Sequence, residues 1–340
     1  ENIYFVQKAQ PEIEISEINI TTKVFDHNFS VPLIVEDKTG GIADALKINA
    51  AIASAVEELG LGMGIGSQRA AIEKQSLEKT FSIARKKAPT AFLLANLGGP
   101  QLVKGYGVKE AKKAVDMLNA DALAIHLNAL QETVQPEGET SFKGVLNKIG
   151  EIAQAIDVPV IVKETGAGIA AEEAKLIAST KVAGIDIAGG GGTSWAAVEF
   201  HRAKEKHDQL HQRVGNDFWN WGIPTAISLI ETLQSISSVV IASGGIRTGI
   251  DIAKALSLGA NLTGMAHPIL FAATRGPDEV KKTLQVAIDG LRNAMFLVGA
   301  ESISDLEKVP LVITGTTAEW LRMRDFHPEI YAKRGLLSAD

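Results

Sequence analysis

The chain has 340 residues, 46% hydrophobic and 22% charged, with a formal net charge of −6 and no cysteine. That balance describes a globular chain able to bury a large core; it excludes disulfides, thiolate metal sites and a cysteine nucleophile, and it is compatible with a reducing cytoplasm. No basic block with interleaved aromatics points to nucleic acid, no basic-then-apolar leader is read at the N-terminus, and no apolar run approaches the ~20 residues of a membrane helix. The expectation is therefore a cytoplasmic protein with neither nucleic acid nor membrane as a partner.

In chain order, short apolar runs alternate with amphipathic segments. Strands are expected at residues 31–35 (VPLIV), 61–65 (LGMGI), 91–95 (AFLLA), 122–125 (ALAI), 158–162 (VPVIV), 183–187 (AGIDI), 239–242 (VVIA) and 261–265 (NLTGM). Each run is nearly continuous, as in strands buried on both faces of a parallel sheet. Helical periodicity falls at 43–59, 108–118, 142–155, 171–179 and 249–258. Eight βα units within about 250 residues predict a (β/α)8 TIM barrel in a single domain. Residues 1–30 would flank it, 31–290 would form it, and 291–340 would add a C-terminal helical extension. The stretch 201–224 reads as one long irregular loop, an active-site loop or an oligomer contact.

Barrel chemistry gathers at the C-terminal strand ends. Those ends read Thr39-Gly40-Gly41 after Lys38, Gly66-Ser67-Gln68-Arg69, Asn96-Leu97-Gly98-Gly99, His126-Leu127-Asn128, Lys163-Glu164, Gly189 to Thr193 and Ser243-Gly244-Gly245. Glycines, amides, hydroxyls and cations collect there, while the opposite ends begin blandly. Ser243-Gly-Gly-Ile-Arg247 opens a helix after the seventh strand, and Gly264-Met-Ala266-His267 follows the eighth. Bare glycine backbone and a helix N-terminus suit a phosphate, and Arg247 could add a fork of donors. Lys163 reads either as a lysine snorkelling to solvent or functionally, as a cation facing an electron-rich ring or as a Schiff-base lysine.

Two patterns compete. Gly166 to Ala171 matches GxGxxA after a strand, with Asp186 placed as a ribose-binding acid, but it falls in the fifth unit rather than the first. His201, His207 and His211 could suggest a metal; among Lys, Glu, Asp and Gln they read better as a solvated face.

Taken together, GSQRAAIE (66–73), NLGGPQL (96–102), HLNALQETVQPEG (126–138), VKETGAGI (162–169), AGGGGTSWAAVE (188–199) and SGGIRTGIDIAKALSLGA (243–260) resemble type 2 isopentenyl-diphosphate isomerase. The resemblance implies an FMN-dependent (β/α)8 barrel of isoprenoid synthesis. It interconverts isopentenyl and dimethylallyl diphosphate using reduced FMN and Mg2+, with NADPH needed only to reduce the flavin. Carried over by motif, Thr39, Gly40, Ser67, Asn96, Lys163, Thr193, Gly244, Gly245, Arg247 and Ala266 would hold FMN. Ser67, Gln68, Arg69, His126, Asn128 and Gln131 would meet the diphosphate substrate, and Glu132 would bind Mg2+. Gln131, Glu199 and Trp195 would be catalytic, the last two shaping the far wall. A homo-oligomer, tetramer or larger, is also implied.

The chain departs from the family pattern in three places. It has no Arg-Lys-x-x-His segment, its Glu36-Asp37-Lys38 stands before Thr-Gly-Gly where Met is usual, and HLNP is HLNA. Alternatives left open are an FMN-dependent barrel oxidoreductase, of the 2-hydroxyacid oxidase or dihydroorotate dehydrogenase class, and a non-catalytic flavin- or phosphate-binding barrel.

Overall fold

The computed structural model describes residues 2–335 apart from Lys38 and the side chain of Ala43. Lys38, one of the departures noted above, therefore lies outside the described residues. Three short strands come first: β1 (Ile3–Phe5), β2 (Thr22–Val24) and β3 (His27–Phe29). Then β4 (Leu33–Val35), β5 (Gly62–Gly64), β6 (Phe92–Gly98), β7 (Ala122–Leu127), β8 (Val160–Glu164), β9 (Gly184–Asp186), β10 (Val239–Ala242) and β11 (Leu262–Met265) close into one parallel barrel. Closure is made by β11 pairing with β4, Gly264 opposite Ile34. All eight expected strands are present. Helices separate them, including Ala43–Leu59, Val108–Leu118 and Gly249–Leu258 at their expected bounds.

Side chains alternate along a strand, so each barrel strand feeds two different cores. Leu93, Ala95, Leu123, Ile125, Val160, Val162 and Val240 join the large core under the helices. Their neighbours Phe92, Leu94, Ala122, Ala124, Ile161 and Ile241 form a second cluster inside the barrel, together with Ile34 and Leu262.

The N-terminal flank plugs that inner cluster. The β2–β3 hairpin turns on Phe25 and Asp26, both with positive φ (51° and 59°). Two-residue hairpin turns favour this geometry, but normally with Asn or Gly. The Phe25 ring stacks on Phe92 at 5.9 Å between centroids, and Phe29 packs tilted against it at 5.3 Å. Burial of three rings thus offsets the backbone strain of the turn.

The C-terminal stretch is not wholly helical. It contains β12 (Leu311–Ile313), which pairs antiparallel with β1. Its helix Gly315–Met323 is followed by Arg324, whose Nε donates to the fully buried Glu231 at 2.6 Å. The expected irregular stretch 201–224 is a correction: helices Trp195–Glu205 and Gln209–Asp217 occupy most of it. Gly215 lets them approach closely, since a Cβ there would meet the Ala196 carbonyl and the Phe200 backbone. Among the described residues no helix is long and apolar enough to cross a membrane.

Phe92 is 1% exposed at the centre of the plug. Phe92→Ala is expected to cost about 3–5 kcal/mol, read as a lower urea midpoint. An unchanged midpoint would show that the hairpin does not seal the barrel.

Candidate active site

The same alternation that makes the inner core apolar at one end makes it polar at the other. Two residues beyond Ile34, Leu94, Ala124, Ile161, Gly184 and Ile241 come Glu36, Asn96, His126, Lys163, Asp186 and Ser243. Gly64 and Gly264 complete the ring from β5 and β11. Register confirms the layer: His126 lies opposite Lys163, and Lys163 opposite Asp186.

Lys163 is the centre of this layer. It is 6% exposed and pairs with Glu36, with Asp37 and, at 3.3 Å, with Asp186. The reading as a solvent-snorkelling lysine is therefore wrong. Burial alone would pull its ammonium down, but Asp37, Glu36 and Asp186 outweigh that and hold it well above the ordinary lysine value. Glu36 is driven the other way. Burial, with the nearby Asp186, pushes its carboxyl up to about 8 despite the Lys163 contact. Its Oε1 is buried with no hydrogen-bond partner. Glycine at 264 leaves room for that carboxyl, since a Cβ there would press on Glu36 Oε1 and force the side chain to shift. Asp186 also accepts from Ser243 Oγ at 2.6 Å. It is thus committed to the barrel interior, and the GxGxxA reading, which needs it on a ribose, falls away.

His126 stands beside this cluster. Asn96 Nδ2 donates to Asp37 Oδ2 at 3.0 Å, so Asn96 Oδ1 is the acceptor for His126 Nδ1–H at 2.7 Å. His126 Nε2 is left toward Gly98. Burial lowers the imidazole below its ordinary value, offset in part by Asp37. Glu164, the next residue after Lys163, points out of the barrel, as the pleat requires. Its Oε2 accepts from the N–H groups of Thr165, Gly166 and Ala167, and burial pushes the carboxyl up to about 7 against those bonds.

A second group lies on β7 and the short helix Ala129–Val134 after it. Gln131 Nε2 donates to Glu199 Oε1 at 3.2 Å, and Asn128 Nδ2 reaches Gln131 Oε1 at 3.2 Å and Glu132 Oε1 at 2.7 Å. Two residues singled out 68 positions apart in the sequence are thus in direct contact. Glu199 is 1% exposed, and Arg202 Nη1 donates to both its oxygens at 2.9 and 2.8 Å. Arg202 Nη2 continues to Glu137 at 2.6 Å, in the PEG end of the same motif. Trp195 begins the helix that carries Glu199, one turn earlier and therefore on the same face.

Glu132 accepts at Oε2 from Gln135 Nε2 (2.8 Å) and the Glu139 N–H (2.6 Å), so one of its oxygens is doubly engaged and the other singly. Asn128 Oδ1 is buried and has no partner. One carboxylate oxygen beside an unpartnered carbonyl suits Mg2+, which is commonly held by one or two protein carboxylates with substrate phosphate oxygens completing the shell. Among the described residues no cluster of three His, Asp or Glu could hold a metal by itself, so the histidines at 201, 207 and 211 form none.

The third group is a glycine cradle. Gly245 has φ +84°, and a Cβ on it would run into Gly191. Arg247 clips the two loops together, Nη1 to the Gly245 carbonyl and Nη2 to the Gly191 carbonyl, both at 2.9 Å. Thr248 caps the ten-residue helix Gly249–Leu258 in a capping box with Asp251. Bare glycine backbone beside a helix N-terminus is a rim that could hold the phosphate of a flavin mononucleotide. Gly244 also has positive φ, Thr193 is exposed beside the cradle, and Ala266 caps the helix His267–Ala273. Next to them Gly166, Gly190, Thr193, Trp219 and Trp221 line a cavity of about 490 Å³.

The remaining expected residues sit in the loops after β4 and β5. Thr39 accepts through its carbonyl from Asn49 Nδ2 at 3.2 Å. Gly40 has a packing reason, since a Cβ would strike the Phe81 ring. Ser67 is half-buried; Arg69 is exposed and pairs weakly with Glu73 at 3.9 Å. Gln68 departs from its expected substrate role. It is fully buried, its Oε1 accepts from the Asn96 N–H (2.9 Å) and its Nε2 donates to the Ala114 carbonyl (2.8 Å). It is an internal strut between β6 and the helix Val108–Leu118. Glu36, Asp37, Asp186, Ser243, Arg202 and Glu137 were not singled out as site residues. For the barrel-facing ones the missing signal was positional: each falls at an inward place of the period-two pattern, just past an apolar strand.

Comparison with known proteins follows from this geometry. A family described as FMN-dependent dehydrogenase matches residues 107–312. The fold overlays a mandelate oxidase mutant carrying an FMN adduct with a TM-score of 0.62 at 18% identity, covering 92% of this chain and 88% of that one, a likeness of fold alone. These define the class, a (β/α)8 barrel of the FMN-dependent dehydrogenase type. A protein of Methanothermobacter thermautotrophicus named isopentenyl-diphosphate delta-isomerase is 48% identical over 334 residues, 98% of this chain and 92% of that protein. One of Pyrococcus furiosus with the same name is 47% identical, over 99% of this chain and 86% of that protein. The chain belongs to the isopentenyl-diphosphate delta-isomerase family.

The Glu36 carboxyl makes stability depend on pH. Its folded value of about 8 lies above the ordinary 4.5, so the folded protein holds the extra proton between them. That contribution is fully present below about 4.5 and is lost as pH rises through about 8. Glu164 gives a slope of the same sign. Glu36→Gln should flatten the fall in urea midpoint between pH 5 and pH 8.5 and leave the Glu164 part. Parallel pH profiles for the two proteins would refute the assignment.

Proposed function

We propose that the chain interconverts isopentenyl and dimethylallyl diphosphate, with reduced FMN and Mg2+ bound in the barrel mouth. NADPH would serve only to reduce the flavin. The observation that carries this reading is the connected chain Asn128–Gln131–Glu199–Arg202–Glu137. It fixes one uncharged amide at the mouth and leaves a metal-binding carboxylate, Glu132, beside it.

An allylic double-bond shift needs a proton delivered at one carbon and another removed from a second. When bound, reduced FMN supplies the electron-rich ring and exchangeable proton, and Mg2+ neutralises diphosphate charge. The protein's own residues bind and orient. Gly244, Gly245 and Arg247 offer backbone and guanidinium donors to the flavin phosphate. Lys163 and Asn96 would meet the flavin ring, and Thr39, Gly40, Ser67, Thr193 and Ala266 would lie along the cofactor. Glu132 and Asn128 take the metal and, with His126 and Arg69, the diphosphate. Gln131 is held at both ends, its Nε2 by Glu199 and its Oε1 by Asn128. Its amide therefore cannot turn freely, and it presents one face to the alkene. Trp195 forms the wall on Glu199's side. Assembly as a tetramer or larger and a cytoplasmic location are proposed on the resemblance alone.

The test is product formation from isopentenyl diphosphate with the FMN-loaded, reduced protein and Mg2+. Gln131→Ala should keep the flavin absorbance and lose about 10²- to 10⁴-fold in kcat. Full turnover in that variant would remove Gln131 from the chemistry. Glu132→Gln should raise the half-saturating Mg2+ concentration, and an unmoved Mg2+ titration would remove Glu132 from the metal site.

A further inference from the structure

A cavity of about 510 Å³ lies outside the barrel wall, on the far side of β8 from the mouth. Glu164 lines it, the residue that the pleat of β8 sends away from Lys163, and it is only 8% exposed. The N–H groups of Thr165, Gly166 and Ala167 all reach this carboxyl at the same oxygen, Oε2. They fix the group in place and bring no positive charge to it. Glu173, exposed on the helix Ala171–Ala178, adds a second acid to the rim. The walls are aromatic: Phe142, Trp221 and Trp320, the two tryptophans 64% and 39% exposed. Trp320 is held by its indole N–H, which donates to the buried Glu231 at 3.1 Å. Leu130 closes another side from the helix Ala129–Val134, whose Gln131 turns instead to Glu199. Among the described residues that line the cavity none is Lys, Arg or His. Trp221 also lines the cavity beside the glycine cradle, so the two share one wall.

Each of these features narrows the occupant. The volume is that of a small-molecule pocket, roughly 300–1,000 Å³. Two acids with no basic residue among them repel an anion, so a diphosphate does not belong here. Exposed indole faces attract a cation through the ring quadrupole and an apolar body through burial. A neutral apolar ligand would strip the remaining water from Glu164 and return nothing for it. A ligand with an ammonium group would give that carboxyl the counter-charge its backbone donors lack. We propose that this cavity is a binding site for a small organic cation, with its ammonium group at Glu164 and a single-ring apolar body against Trp221 and Trp320. The site is separate from the mouth and does not depend on what the mouth binds.

The experiment is a calorimetric titration of the full chain, with FMN in excess, at pH 8, above the value of about 7 to which burial pushes Glu164. Three probes of one shape are compared: 2-phenylethylammonium, 2-phenylethanol and 3-phenylpropanoate. The cation is expected to bind at millimolar concentration or below, the alcohol about tenfold more weakly, and the carboxylate not at all. Glu164→Gln should weaken the cation about tenfold and leave the alcohol unchanged. Trp320→Ala should weaken both. Glu173→Gln changes an exposed side chain that carries no fold contact in the cavity floor, and should weaken the cation about twofold. It keeps the test decisive if Glu164→Gln fails to fold. No heat from the cation at millimolar concentration would overturn the proposal. So would equal binding of all three probes, or cation binding that neither glutamate variant weakens. None of those outcomes would touch the isomerase reading, which is tested by product formation.

Discussion

Eight strands closed on themselves leave each side chain only two destinations, and everything functional in this protein follows from that constraint. Alternate residues go outward to the helices or inward to a narrow axis. The inward set is apolar at one end, where Phe92, Leu94, Ala124 and Ile161 pack, and polar two residues later. A slip of one residue in β8 would send Lys163 into the helix layer and Glu164 into the mouth. Closure makes such a slip costly, because every strand is paired on both sides.

The polar layer carries a large electrostatic load. Removing an ammonium and several carboxyl groups from water is unfavourable unless they satisfy one another. Lys163 does so with Glu36, Asp37 and Asp186, and Asn96 donates to Asp37 while Ser243 donates to Asp186. The balance is incomplete at Glu36 Oε1, and incompleteness of this kind collects at sites that act on ligands rather than in framework. The plug at the other end has the opposite character. There three aromatic rings pack in an apolar cluster, and the hairpin's Lys23 and Asp26 pair with each other at 3.1 Å on its exposed side.

Around the mouth, the site is assembled from loops held by a few specific bonds. Arg247 joins two glycine loops, and Arg202 joins Glu199 to Glu137 across the motif that carries Gln131 and Glu132. Both arginines act as rigid forks, a role lysine cannot fill with the same geometry. Gln68 braces the floor beneath Asn96. Each of these residues touches backbone or carboxylate of the framework, so the geometry of the mouth is set before any ligand arrives.

The strands, most helix bounds and the eightfold closure were legible in the chain itself, because apolar runs of strand length alternating with helical periodicity are local signals. So was the clustering of glycine, amide and cation at one set of strand ends. The helices within 195–217 were not. Their buried faces are Ala196, Glu199, Ala203 and Gly215, small or polar residues that leave no apolar stripe to read. Gln68 was expected at the substrate and proved to be an internal strut, and Asp186 was given no place in the site, because a residue's identity does not say which partner the closed barrel will bring to it. Sequence by itself determined which strands exist and where their polar ends lie, since both are set by neighbours along the chain. Only the tertiary structure decided that Lys163 is buried against Glu36, Asp37 and Asp186, since that depends on which strands meet when the sheet closes.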